Sequence, residues 1–115
     1  MINIAELFKD LTVTDNAKQA QRETVKYLTK LGFNCIMEYQ VDDRGNGWNG
    51  YIDIVAIKDN IKLAIEFDRH SPRKKSIYKL NQLDKSYQKI VLLRGYGNGS
   101  SDGIIVMLVK IKGGE

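Results

Sequence analysis

Hydrophobic positions along the chain switch between two spacings, and each switch marks an element. Residues 4–11 have apolar positions at helical spacing and predict a short first helix. Thr14 or Asp15 can cap a second one, in which Ala17, Ala20, Thr24, Leu28 and Leu31 share a face. Gly32 closes that helix in the left-handed conformation that glycine tolerates. Residues 34–41, with Cys35, Ile36, Met37 and Tyr39, read as a strand, and a polar, glycine-rich loop follows over 42–50. Residues 51–57 and 61–67 are strands rich in β-branched side chains, joined by a tight turn at Asp59-Asn60. Ser71-Pro72 signals a helix start, because serine caps free N–H groups and proline suits the first helical position. That helix is predicted to reach about Tyr87 with Ile77, Leu80, Leu83 and Tyr87 inward. Residues 89–93 form a strand, 95–103 a loop and 104–111 a last strand. The order α-β-β-β-α-β-β predicts an α/β fold, a mixed central sheet flanked by helices in a single domain. That domain occupies residues 1–115, with its core at about 15–111.

Composition narrows the class of protein. Of the 115 residues, 43% are hydrophobic and 28% charged, as expected for a chain with one packed core. No apolar run approaches the ~20 residues that span a bilayer, and the first residues lack the pattern of a signal peptide. Cys35 is the sole cysteine, so no internal disulfide forms, and a reducing cytoplasm is the expected setting. The apolar stretch around Cys35 predicts buried packing for it.

Charge is unevenly spread. Residues 69–94 hold eight basic side chains (Arg69, Arg73, Lys74, Lys75, Lys79, Lys85, Lys89, Arg94) against Asp84 alone. That segment is +7 in a chain of +4, leaving −3 elsewhere. A basic segment on an acidic body suits a polyanion such as nucleic acid. A solvated, lysine-rich helix face accounts for it equally well.

The tight turn carries the most chemistry. With Asp59-Asn60 as its two central residues, paired positions sum to 119, so Asp53 faces Glu66 and Tyr51 faces Asp68. Alternation then sets Asp53, Glu66 and Asp68 on one face, with Ile52, Ile54, Ile65 and Phe67 on the other. Opposed like charges among apolar neighbours destabilise a sheet. A hard divalent cation relieves that penalty, and Mg²⁺ takes carboxylates, waters and phosphate oxygens. Exposure at a strand end, or pairing with arginines, relieves it too. After Asp68 come Arg69, His70, Arg73, Lys74 and Lys75, close to the predicted helix start. Basic side chains in a first turn oppose the helix dipole by about 0.3–1 kcal/mol each, a cost that a bound anion offsets.

Glu23 on a helix, Asp53 in Gly50-Tyr51-Ile52-Asp53-Ile54-Val55, and Glu66-Phe67-Asp68 together resemble the PD-(D/E)xK nuclease superfamily. The likeness covers roughly residues 15–94 and is nearest in pattern to small resolvase-type or phage-type members. It implies a restriction-endonuclease-like fold and metal-dependent, endonucleolytic hydrolysis of DNA phosphodiesters with Mg²⁺ or Mn²⁺, with structure-specific cutting and a homodimer among the family's forms. Asp53, Glu66, Asp68 and Glu23 would be the metal ligands, with the Phe67 carbonyl as a further candidate. The chain departs from the pattern where Asp68 replaces the motif lysine, and Lys74 or Lys75 would supply the missing charge. Glu23 reads equally well as a surface partner of Arg22 or Lys26.

Arg44, Trp48, Arg69, His70, Arg73, Lys74, Lys75 and Lys79 are the candidate nucleic-acid contacts. Trp48 lies in a glycine-rich loop with Arg44 and could stack on a base or fold back on the core; Tyr96 in the second such loop reads both ways. Gly95, Gly97 and Gly99 precede a strand, so they make no nucleotide-binding fingerprint. Two further functions stay open: a catalytically degenerate DNA-binding module of the same fold, and a protein-interaction domain.

Overall fold

The computed structural model describes residues 2–41, 50–94 and 103–112. Its elements are α1 (Ile4–Phe8), β1 (Thr12–Val13), α2 (Ala17–Lys30), β2 (Asn34–Val41), β3 (Gly50–Lys58), β4 (Ile61–Asp68), α3 (Lys74–Leu80), β5 (Gln88–Leu93), β6 (Ile104–Leu108) and β7 (Lys110–Ile111). Five strands form one mixed sheet in the order β2-β3-β4-β5-β6. The pairs β2–β3 and β3–β4 are antiparallel, and β4–β5 and β5–β6 are parallel. The chain is therefore an α/β protein with a mixed central sheet and helices, as its periodicity predicts. No described helix is long and apolar enough to cross a membrane.

Each face of the sheet has its own core. On one, Ile54, Ala56, Leu63, Ile65, Phe67, Ile90 and Leu92 pack against Phe8, Ala20 and Leu28 of α1 and α2. On the other, Val55, Ala64, Val91 and Leu93 pack against Leu80 of α3. Burial on both faces explains why β4 and β5 read as nearly continuous apolar runs. Glu66 and Asp68 are buried within that run at 0% and 2% exposure, which requires partners for both.

The β3–β4 register runs from Lys58↔Ile61 to Ile54↔Ile65, which is the pairing that a two-residue turn at Asp59-Asn60 dictates. Asp59 takes φ 53°, the left-handed geometry that aspartate accepts in turns. Alternation breaks at one place. Ile52 packs on the α3 side with Val55, and not with Ile54, Ile65 and Phe67 as expected. Tyr39 and Cys35 of β2 show the same reversal, on opposite faces despite equal parity. The β2–β3 ladder skips the Glu38–Asp53 position between them, and Glu38 has φ 55°. Both strands thus turn over together at Glu38 and Asp53.

Several boundaries differ from expectation for local reasons. The cap of α2 is Asn16, whose side chain accepts from the Gln19 N–H, and not Thr14 or Asp15. The buried side of α2 is Ala20, Gln21, Thr24 and Leu28, while Ala17 and Leu31 are exposed. Helix α3 has seven residues; Ser71 and Pro72 precede it, and Arg73 is its cap residue. It stops at Asn81 instead of near Tyr87. Beyond it the Asp84 carboxylate takes the Ser86 N–H at 2.8 Å, a local bond that competes with helix. The last strand divides at Val109: β6 joins the main sheet, and β7 pairs in parallel with β1, a strand that the sequence pattern did not reveal.

Candidate functional site

The distortion at Asp53 builds the site. Asp53 has no partner in either strand register. Its N–H instead donates to Glu66 Oε2 at 2.8 Å, and its own Oδ2 accepts from the Phe67 N–H at 2.9 Å. The two carboxylates take the place of ladder carbonyls and so come to lie together at the end of the β3–β4 pairing. On the α2 side, Gln21 Nε2 donates to the Asp53 carbonyl and to Glu38 Oε2, both at 2.8 Å.

The cation at this site comes from Lys79. Its Nζ lies 2.9 Å from Glu66 Oε1 and donates to the Tyr51 carbonyl at 2.9 Å. The Lys79 stem crosses Gly50 so closely that a Cβ there would stand 3.1 Å from Lys79 Cγ. The Lys79 ammonium is thus the partner of the buried Oε1, while Oε2 takes the Asp53 N–H. Burial, and then repulsion from Asp53, push Glu66 from 4.5 to about 7 despite Lys79. Burial also raises Asp53, with Glu38 and Asp68 adding repulsion against the pull of the Phe67 N–H and Lys79.

Asp68 has a different task from the one expected. Its Oδ2 accepts from the Arg73 N–H at 2.9 Å, and its Oδ1 from Arg73 Nε at 2.7 Å and Ser76 Oγ at 3.0 Å. These bonds fasten the start of α3 to the end of β4, which occupies Asp68 as a fold element instead of a ligand or water positioner. The N–H of Arg73 is thereby spent on Asp68 and not offered to phosphate. The bond from Asp68 raises the Arg73 pKa further.

Glu23 is also elsewhere. It accepts from the Thr14 N–H at 2.7 Å, Thr14 Oγ1 at 2.9 Å and Lys112 Nζ at 3.0 Å, tying α2 to the residues that follow β1 and β7. These bonds outweigh burial and lower its pKa. Neither Arg22 nor Lys26 is its partner: Arg22 donates to Gln19. Among the described residues, no group of three or more His, Cys, Asp or Glu is arranged to hold a metal ion. Of the four carboxylates expected from sequence to act together, the structure brings Asp53 and Glu66 into one place.

The remaining candidates divide by exposure. Lys74 and Lys75 are exposed, and the ammonium beside Glu66 is that of Lys79, one turn along. Lys79 is itself buried, so it faces Glu66 and not a solvent-borne phosphate. Arg73 keeps a largely exposed side chain. Arg69 pairs with Asp15 at 3.1 Å, and Arg94 joins the same carboxylate at 3.0 Å. His70 is exposed beside them. Arg44, Trp48 and Tyr96 lie outside the described residues. Cys35 is half-buried, with its thiol pushed up by burial.

Sequence reading missed Lys79 as the partner of Glu66, and missed Gln21, Glu38 and Ser76 altogether. Ser76, Lys79 and Leu80 stand at i, i+3 and i+4 and are all buried. A polar pair on that helical face was the available signal for Lys79 and Ser76. Gln21, beside the apolar stripe of α2, was the corresponding signal there.

No protein-family model matches the chain, and no curated protein matches it. It is similar in structure to a crystal structure described as a protein of unknown function, AF1548, with a TM-score of 0.55 and 18% identity. The match covers 81% of this chain and 58% of the other, so the chain spans little more than half that protein's length. The likeness is one of fold.

Proposed function

We propose that this chain is a restriction-endonuclease-like, metal-dependent nuclease that hydrolyses DNA phosphodiester bonds with Mg²⁺ or Mn²⁺. The observation that carries this reading is the interlocked Asp53–Glu66 pair. Two carboxylates bond to each other's strand, and the buried Glu66 already draws one cation, the Lys79 ammonium at 2.9 Å. Such a pair of carboxylates fits a divalent cation, and Mg²⁺ commonly binds one or two carboxylates with waters and substrate phosphate completing its shell. Asp53 and Glu66 would hold it. The chemistry supplied by the cation is acidification of a water and neutralisation of charge developing on the phosphodiester.

The chain's own groups prepare that site. Lys79 favours the ionised form of Glu66, which cation binding needs. The Phe67 N–H holds one Asp53 oxygen in place. Arg73, Lys74 and Lys75 present exposed side chains just beyond Asp68 and suit the phosphates flanking a scissile bond.

A second reading has its own support. Asp68 replaces the motif lysine and is fully engaged with α3, and the described carboxylates form no three-ligand group. These features suit a module that binds DNA without cutting it. The deciding experiment compares wild type and Asp53→Ala on supercoiled plasmid and branched DNA with Mg²⁺ or Mn²⁺. The nuclease reading expects cation-dependent cutting that the substitution reduces at least a hundredfold. Salt-sensitive DNA binding without cutting in either protein would leave the binding module standing, and absence of both activities would sink the two readings together.

A further inference from the structure

Gln21 connects the chemistry of the site to the distortion of the sheet. We infer that Gln21 is a positioning residue that sets the direction of the Asp53 carboxylate by replacing the strand pairing Asp53 lacks. This rests on the Asp53–Glu66 pair being the cation site proposed above.

A residue in the middle of a sheet normally has its backbone groups bonded by neighbouring strands. Asp53 lies between β2 and β4 yet is absent from both registers. Its N–H goes to the Glu66 carboxylate, and its carbonyl accepts from Gln21 Nε2 at 2.8 Å. The same amide nitrogen reaches Glu38 Oε2 at 2.8 Å. Glu38 and Asp53 are the two positions at which their strands turn over, and Glu38 holds φ 55°, which costs a non-glycine residue energy. Gln21, 9% exposed and fixed on α2, therefore bridges the two reversed positions with two donors. Without that bridge the β2–β3 ladder can close over Glu38 and Asp53. Asp53 then resumes ordinary alternation and its side chain leaves the Phe67 N–H.

The geometry makes a metal-free prediction. In Gln21→Leu, similar in size but without a donor, the Phe67 and Asp53 amides should exchange with solvent at least tenfold faster than in wild type. The amides of the Ile54–Ile65 ladder should keep their protection. Gln21→Glu gives an independent measure, since its ionised carboxylate has no donor: at pH 8 its Phe67 protection should be lost as well. Mn²⁺ affinity, measured by calorimetry, should fall about tenfold in Gln21→Leu. Unchanged Phe67 protection in both variants would overturn the role of Gln21, whatever the protein's activity. Lost protection of Phe67 with no Mn²⁺ binding even in wild type would retain the positioning of Asp53 and remove the cation site on which its use depends.

Discussion

Glu66 shows how far one residue's behaviour departs from its type. A carboxyl group with 0% exposure is costly to ionise, and Lys79 at 2.9 Å only partly compensates. Its folded value is about 7 against 4.5 for the free side chain, so between those limits the folded state binds more protons than the unfolded state. Stability from this group is fully present below pH 4.5 and is lost as pH rises through 7, by roughly 3 kcal/mol. The difference in unfolding free energy between wild type and Glu66→Gln should therefore move by that amount, in favour of the variant, from pH 4.5 to 8. Denaturant titrations at several pH values measure it, and a pH-independent difference would count against a proton held on Glu66. If the Asp53–Glu66 pair holds a divalent cation as proposed, protons compete for the same oxygens, and Mn²⁺ should bind more tightly as pH rises towards and past 7.

At the level of elements, the junction between β4 and α3 is made by one carboxylate. Asp68 accepts three hydrogen bonds from Arg73 and Ser76, and Ser76 is buried. Asp68→Ala would strand the Ser76 hydroxyl and the Arg73 N–H, at a cost of about 2–3 kcal/mol. It would also loosen the short α3 that carries Lys79, so thermal unfolding should fall by several degrees. Asp68→Asn keeps an acceptor for Ser76 and should lose less; equal losses in the two variants would argue that the charge, and not the acceptor geometry, holds the junction. How much of these elements was legible from sequence follows from the range of their causes. The hairpin register was readable because Asp59-Asn60 fixes it within a few residues. The length of α3 was not, since Ile77, Leu80, Leu83 and Tyr87 continue the helical spacing past the point where the chain leaves the helix. Nor was Glu23 readable as a structural residue, because its partners Thr14 and Lys112 are remote in sequence or on another element.

For the whole molecule, the relevant quantity is the field around the Asp53–Glu66 pair. Basic residues concentrate in 69–94, but structure sorts them: Lys79 is buried, Arg69 and Arg94 share Asp15, and Arg73, Lys74 and Lys75 stay exposed. If DNA is the partner, its affinity should fall linearly in log–log form with salt, by a slope of about 0.9 per phosphate neutralised. Lys74→Ala and Lys75→Ala should each lower the slope by about one, measured by fluorescence anisotropy across a salt series. An unchanged slope in the lysine variants would place the DNA on another face.

What the sequence determined by itself was local: the periods that define helices and strands, the turn that pairs β3 with β4, and the presence of Asp53 and Glu66 near one another. Each depends on side-chain alternation or on backbone preferences of a few adjacent residues. Only the tertiary structure decided which charges meet. Lys79 reaches Glu66 because α3 crosses the sheet over Gly50, where a Cβ would crowd the Lys79 stem. Gln21 reaches Asp53 because α2 packs against the other face, where two strands reverse together. Asp68 is turned to the fold rather than the site because Arg73 and Ser76 come back within hydrogen-bonding distance of it. Such encounters join residues 5 to 32 positions apart, and their outcome depends on how the layers pack, a competition among buried charges that no single stretch of the chain contains.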